Sequence, residues 1–201
     1  MDVAMDVAMR VPEANDVVSP ARFAHIVLYT KKFGEMVDWY VSFLGAEITG
    51  AAMGLAFLTY DDEHHRVAII EKPEYKDPVP NTVGMAHFAY AYDSVADLIA
   101  QYERMKEKGV MPSRTINHGP TTSMYYLDPD GNAVEIQVDN FPSIQALNDW
   151  FASGKFNENP IGVHFDFEDL IARYRAGEPE ASLLYPIEDG EMAPLLDAVI
   201  K

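Results

Sequence analysis

Two stretches of the sequence set its fold: FAHIVLYTKKFGEMVDWYVSFLGAEI, from Phe23 to Ile48, and MAHFAYAYDSVADLIAQYERMKEKGV, from Met85 to Val110. Each opens on Ala-His and runs through an apolar, β-prone segment. Each then passes into a helical pattern and ends near a glycine, Gly45 or Gly109. His25 and His87 lie 62 residues apart, and Tyr40 and Tyr102 keep the same offset. In the second copy Val95, Leu98, Ile99, Tyr102 and Met105 recur at helical spacing; in the first Phe33, Met36, Val37, Tyr40, Phe43 and Leu44 do the same. That period predicts helices laying one apolar face on a sheet.

Short strand candidates follow each helix. In the first copy they cover residues 46–49, 54–60 and 66–71; in the second, 109–113, 121–127 and 133–138. The last two are joined by DPDGN, residues 128–132, a strong turn signal. The order β-α-β-β-β occurs twice, which predicts an α+β fold. Its two βαβββ repeats, about residues 20–80 and 81–140, form a curved mixed sheet around a metal site. A repeat this short does not bury its own apolar face, so the two copies are expected to pair. Residues 1–19, in which MDVA occurs twice, read as a flexible arm. Residues 141–201 read as a C-terminal helical extension. It has helices at 144–151, 167–175 and 191–200 and an extended run at 160–165.

The 201 residues include 48% hydrophobic and 11% aromatic positions, enough for a packed core. The formal net charge of −17 repels nucleic acid and anionic membrane, so neither is an expected partner. There is no cysteine, which excludes disulfides and thiolate chemistry. No apolar run approaches the ~18 residues of a spanning helix, and no secretory signal pattern opens the chain. The expectation is a cytoplasmic protein.

His25 and His87 open corresponding strands of the two repeats, and Glu135 lies in the last strand. Two imidazoles and one carboxylate are the donor set of a facial triad with open positions, suited to divalent iron, manganese, zinc or nickel. Residues 61–69 read DDEHHRVAI. Neighbours on a strand point to opposite faces, so a strand here turns one of His64 and His65 inward.

The βαβββ repeat, the Ala-His openings and MYYLDPDGNAVEI resemble the vicinal oxygen chelate superfamily, over about residues 20–140. That superfamily includes glyoxalase I, bleomycin-resistance proteins and type I extradiol dioxygenases. HHRVAI resembles the His-His pair of the extradiol branch. The resemblance implies iron(II), or manganese or another divalent metal, on His25, His87 and Glu135. It makes His65 the acid-base histidine, with His64 facing away. It also implies site roles for Tyr125, ten residues before Glu135, and for His118 in INHGPTTS. The activity implied is oxygen-dependent ring cleavage of a catechol-type aromatic diol, in aromatic catabolism, by a homo-oligomer. Such a reaction needs a base for a phenolic proton, which a histidine titrating near neutrality supplies. Leu55, Phe57, Val67, Ile69 and Leu127 are the expected pocket walls.

Two alternatives stay open. VAIIEK places Glu71 where glyoxalase I carries a fourth ligand, which would make a metal-dependent isomerase. A non-catalytic small-molecule binder of the same fold is the other.

Overall fold

The computed structural model describes residues 18–79, 82–187 and 192–194. The arm foreseen at 1–19 lies almost entirely outside the described residues; of the helix foreseen at 191–200 only 192–194 are described, and there Met192 bridges Val163 as a strand residue instead.

The first repeat runs β1 (Ile26–Thr30), α1 (Phe33–Leu44), β2 (Glu47–Ala52), β3 (Leu55–Thr59) and β4 (Val67–Glu71). The second runs β5 (Phe88–Ala91), α2 (Val95–Glu107), β6 (Arg114–Asn117), β7 (Thr121–Leu127) and β8 (Ala133–Asp139). Each repeat pairs its first strand parallel with its last, and the remaining neighbours antiparallel. The α+β class and both repeats are as expected, but the strands form two sheets instead of one. One has the order β1-β4-β3-β2 and the other β5-β8-β7-β6-β9. No ladder joins one repeat to the other, and β1 and β5 are edges.

What joins the repeats is the helical layer. Met36, Tyr40 and Phe43 of α1 share one core with Leu98, Tyr102 and Met105 of α2 and with Val134 and Ile136 of β8. Gln101 and Arg104 donate to the Phe43 carbonyl at the end of α1, both at 2.8 Å. α1 stops at Gly45, whose φ of 64° is the left-handed cap that a glycine takes without strain. α2 starts at Ser94, whose hydroxyl accepts the Asp97 N–H.

The DPDGN turn is a clamp as well as a turn. Asp128 Oδ1 accepts the N–H groups of Asp130 and Asn132, while Oδ2 accepts from the Asn132 side chain and from Tyr40 on α1. The repeat-related Tyr102 likewise ends on a carboxylate, Glu168, at 2.6 Å.

The strand expected at 109–113 is instead a loop, and β6 begins at Arg114. Gly109, at φ 74°, turns the chain after α2, and Pro112 lacks a ladder donor. The extension holds α3 (Ile144–Ala152), α4 (Lys155–Glu158), β9 (Val163–His164), α5 (Phe167–Arg175) and α6 (Glu180–Leu183). β9 pairs with β6, so the extension supplies the fifth strand of the second sheet.

Candidate active site

Alternation sorts the β8 side chains. Val134, Ile136 and Val138 enter the helix-side core, so Glu135 faces the other way. Its register partners are Ala89 on β5 and Tyr125 on β7, and Tyr125 in turn opposes Arg114 on β6. A row of side chains therefore crosses the sheet, with His87 just before β5.

His87 Nε2 lies 3.0 Å from Glu135 Oε2. Burial alone would raise the pKa of Glu135, but hydrogen bonds from His87 and Ser123, with the His87 charge and Tyr125, hold it below the usual carboxylate value. Tyr125 is buried, and its ring meets the His87 ring edge-on at 5.3 Å. Burial, then the Glu135 charge, pushes its phenol well above the ordinary value, so it stays protonated. His118 Nε2 is 2.8 Å from the Tyr125 hydroxyl and 3.9 Å from Glu135. Burial lowers the His118 pKa and keeps the ring neutral near pH 7. The Arg114 guanidinium lies 4.0 Å above the Tyr125 ring. Its pKa is lowered by burial, and its buried Nε finds no acceptor among the described residues.

His25, His64 and His65 gather on the first sheet. His65 is buried (8% exposed), stacked on Phe57 at 4.2 Å and packed 4.3 Å from the His25 ring. The His64 side chain is 68% exposed. His65 is the buried member of the doublet and His64 the exposed one, but His64 does not face away: its Nδ1 lies 2.5 Å from His65 Nδ1, because strand alternation does not apply here. Residues 61–66 form bends, and β4 starts only at Val67. Thr59 donates its hydroxyl to the Glu63 carbonyl, and Arg66 forks onto Asp61. These bonds shape the bend that buries His65. Burial first, then the charges of His25 and His64, lowers the His65 pKa, so it is a neutral imidazole able to accept a proton.

Two sequence-based assignments are corrected. Val67 and Ile69 lie wholly in the helix-side core, so they do not wall a pocket on the histidine side. Leu55 and Phe57 do face away from that core, because Ala56 and Leu58 fill it. Glu71 stands opposite Thr30, and Val67 opposite Ile26, so Glu71 is five strand positions from the level of His25. At ~3.3 Å per residue that is about 16 Å. Glu71 packs instead against the β2–β3 turn, where a Cβ added to Gly54 would lie 2.9 Å from its own Cβ.

The donor chemistry fits a divalent ion at His87 and Glu135. Two ligand atoms each ~2.1 Å from one ion and at right angles lie about 3.0 Å apart, which matches the spacing seen between Nε2 and Oε2. His25 is not in contact with this pair but with His65 and His64. Among the described residues no group of three or more His, Asp or Glu side chains is arranged to hold a metal ion.

A βαβββ duplication with imidazoles and a buried carboxylate turned away from its helices defines a glyoxalase-like fold class. The chain belongs to the Glyoxalase/Bleomycin resistance protein/Dioxygenase superfamily, whose family model matches residues 22–136. It is 43% identical over 159 residues to biphenyl-2,3-diol 1,2-dioxygenase 2 of Rhodococcus globerulus, covering 79% of this chain and 84% of that protein. It is 41% identical over 164 residues to biphenyl-2,3-diol 1,2-dioxygenase 3 of the same organism, covering 81% and 86%. The fold matches the crystal structure of a glyoxylase/bleomycin resistance protein/dioxygenase domain from Frankia sp. EAN1pec. The TM-score is 0.52 at 16% identity, over 65% of this chain and 99% of that one. No helix among the described residues is long and apolar enough to cross a membrane.

Arg114, Ser123 and the extension's contacts with His118 were missed from the sequence. The misplaced strand at 109–113 hid Arg114. Alternation along β7 would have found Ser123, two residues before Tyr125.

Proposed function

We propose that this protein is an extradiol ring-cleaving dioxygenase that opens a catechol-type aromatic diol with dioxygen. The observation that carries the reading is the 43% identity to a biphenyl-2,3-diol 1,2-dioxygenase across 79% of the chain. The retained Tyr125–Glu135–His87 row and the buried His65 support it.

In this reading His25, His87 and Glu135 hold one divalent metal, iron(II) before manganese. When bound, such an ion supplies a Lewis-acidic, redox-active centre for a vicinal diol and dioxygen. The neutral His65 takes a proton from a diol hydroxyl and returns it later in the reaction. Phe57 fixes that ring by stacking and excludes water from one face. Tyr125 carries a single proton, which it can turn to His118 at rest or to a substrate oxygen. Arg114, over the Tyr125 ring, favours negative charge developing beside it. Glu71, at the far end of β4, has no part in this site, which weighs against the isomerase alternative. The protein acts as a homo-oligomer, a state that light scattering measures.

The test is oxygen uptake by iron-loaded protein on a panel of catechols. Uptake coupled to ring opening supports the reading. Isomerisation of a hemithioacetal without oxygen uptake overturns it.

A further inference from the structure

The C-terminal extension lies outside the residues matched by the family model, yet its backbone reaches His118. The Ile161 carbonyl is 2.5 Å from His118 Nδ1. A carbonyl only accepts, so Nδ1 carries the proton and Nε2 presents its lone pair. That lone pair lies 2.8 Å from the Tyr125 hydroxyl.

The turn bearing this carbonyl is tightly held. Asn159 Oδ1 accepts the N–H groups of Ile161 and Gly162, at 3.2 and 2.7 Å, and Asn159 Nδ2 donates to the Gly162 carbonyl at 3.1 Å. Gly162 sits at φ 99°, and a Cβ there would meet the Asn117 carbonyl at 2.2 Å and His118 Cα at 2.7 Å. Only glycine lets the extension come this close to the strand end that carries His118. On the far side, β9 pairs with β6 through Val163 and Asn117.

We infer that Asn159, the Ile161 carbonyl and Gly162 are a positioning device that fixes the orientation and tautomer of His118, and through it the hydroxyl of Tyr125. This rests on the ring-cleavage reading. Asn159 and Gly162 touch no reacting atom; they act through His118, as outer partners of a site histidine do. The extension is then part of the active site's support and not an appendage to the domain.

The experiment has two arms. In metal-free protein labelled with ¹⁵N-histidine, two-bond proton–nitrogen spectra should show His118 protonated at Nδ1. Asn159→Ala should lose that single tautomer, and Asn159→Asp, which keeps the acceptor, should restore it. In the iron-loaded enzyme, Asn159→Ala should lower kcat about tenfold with little change in KM. The same substitution in a His118→Ala background should cost less than about twofold, because the two residues act as a unit. Gly162→Ala should reproduce the Asn159→Ala pattern if it folds, as thermal unfolding will report. An Nε2-protonated His118 in the unsubstituted protein, an unchanged tautomer in Asn159→Ala, or additive losses in the double variant overturns the inference. If the unsubstituted enzyme opens no catechol, the ring-cleavage reading falls, and the spectra alone decide this one.

Discussion

His64 and His65 are adjacent in sequence and opposite in environment. One is exposed and the other is sealed between Phe57 and His25. Replacing His65 by Gln should retain metal and lower turnover by roughly 10²–10⁴-fold, the usual worth of general acid-base catalysis. His64→Gln should have a much smaller effect, and Tyr125→Phe should fall between them. Oxygen uptake with metal content checked for each variant measures this; near-normal turnover in iron-loaded His65→Gln contradicts it. Glu71→Ala should keep both metal and uptake, and loss of metal would restore the isomerase alternative. HHRVAI raised the question of which histidine is buried, but the geometry that buries His65 was not legible in it. The bend depends on Arg66 gripping Asp61 and on Thr59 bonding the Glu63 carbonyl, contacts no periodicity encodes.

The repeat made both helices plain, because Met36, Val37, Tyr40 and Phe43, like Leu98, Tyr102 and Met105, keep a helical period and are buried. DPDGN was readable as a turn, but not as the tie between repeats. Asp128 accepts four hydrogen bonds, one of them from Tyr40 across 88 residues. Asp128→Ala should therefore destabilise the fold by about 2–4 kcal/mol, measured by denaturant unfolding. Tyr40→Phe should cost about 1 kcal/mol, since it removes one of the four. A loss below about 0.5 kcal/mol for Asp128→Ala would show that water replaces these bonds. β6 was misplaced because the apolar residues of 109–113 form no strand face: Val110 packs on the helix core while Met111 is exposed. The true strand, RTIN, has only one buried apolar side chain, Ile116. β9 is a two-residue strand, too short for any sequence period to announce.

Over the whole molecule, the duplicated unit carries His25, His87 and Glu135, and the extension reaches His118 through the Ile161 carbonyl. The matched position of His25 and His87 was visible as a 62-residue offset. What the sequence did not reveal is that the two histidines belong to separate clusters, His25 with His65 and His87 with Glu135. In the ring-cleavage reading an ion draws on both. His87→Ala should accordingly lose most of the metal, since one donor of three is gone; a full equivalent retained would refute that ligand set. The most direct measurement of the central claim is mass analysis of the products formed from a panel of catechol-type diols by the iron-loaded protein under ¹⁸O₂. The ring-opened product should carry two labelled oxygens, with one dioxygen consumed per diol. Recovery of every diol of the panel intact with no oxygen consumed, across iron- and manganese-loaded protein, would contradict it.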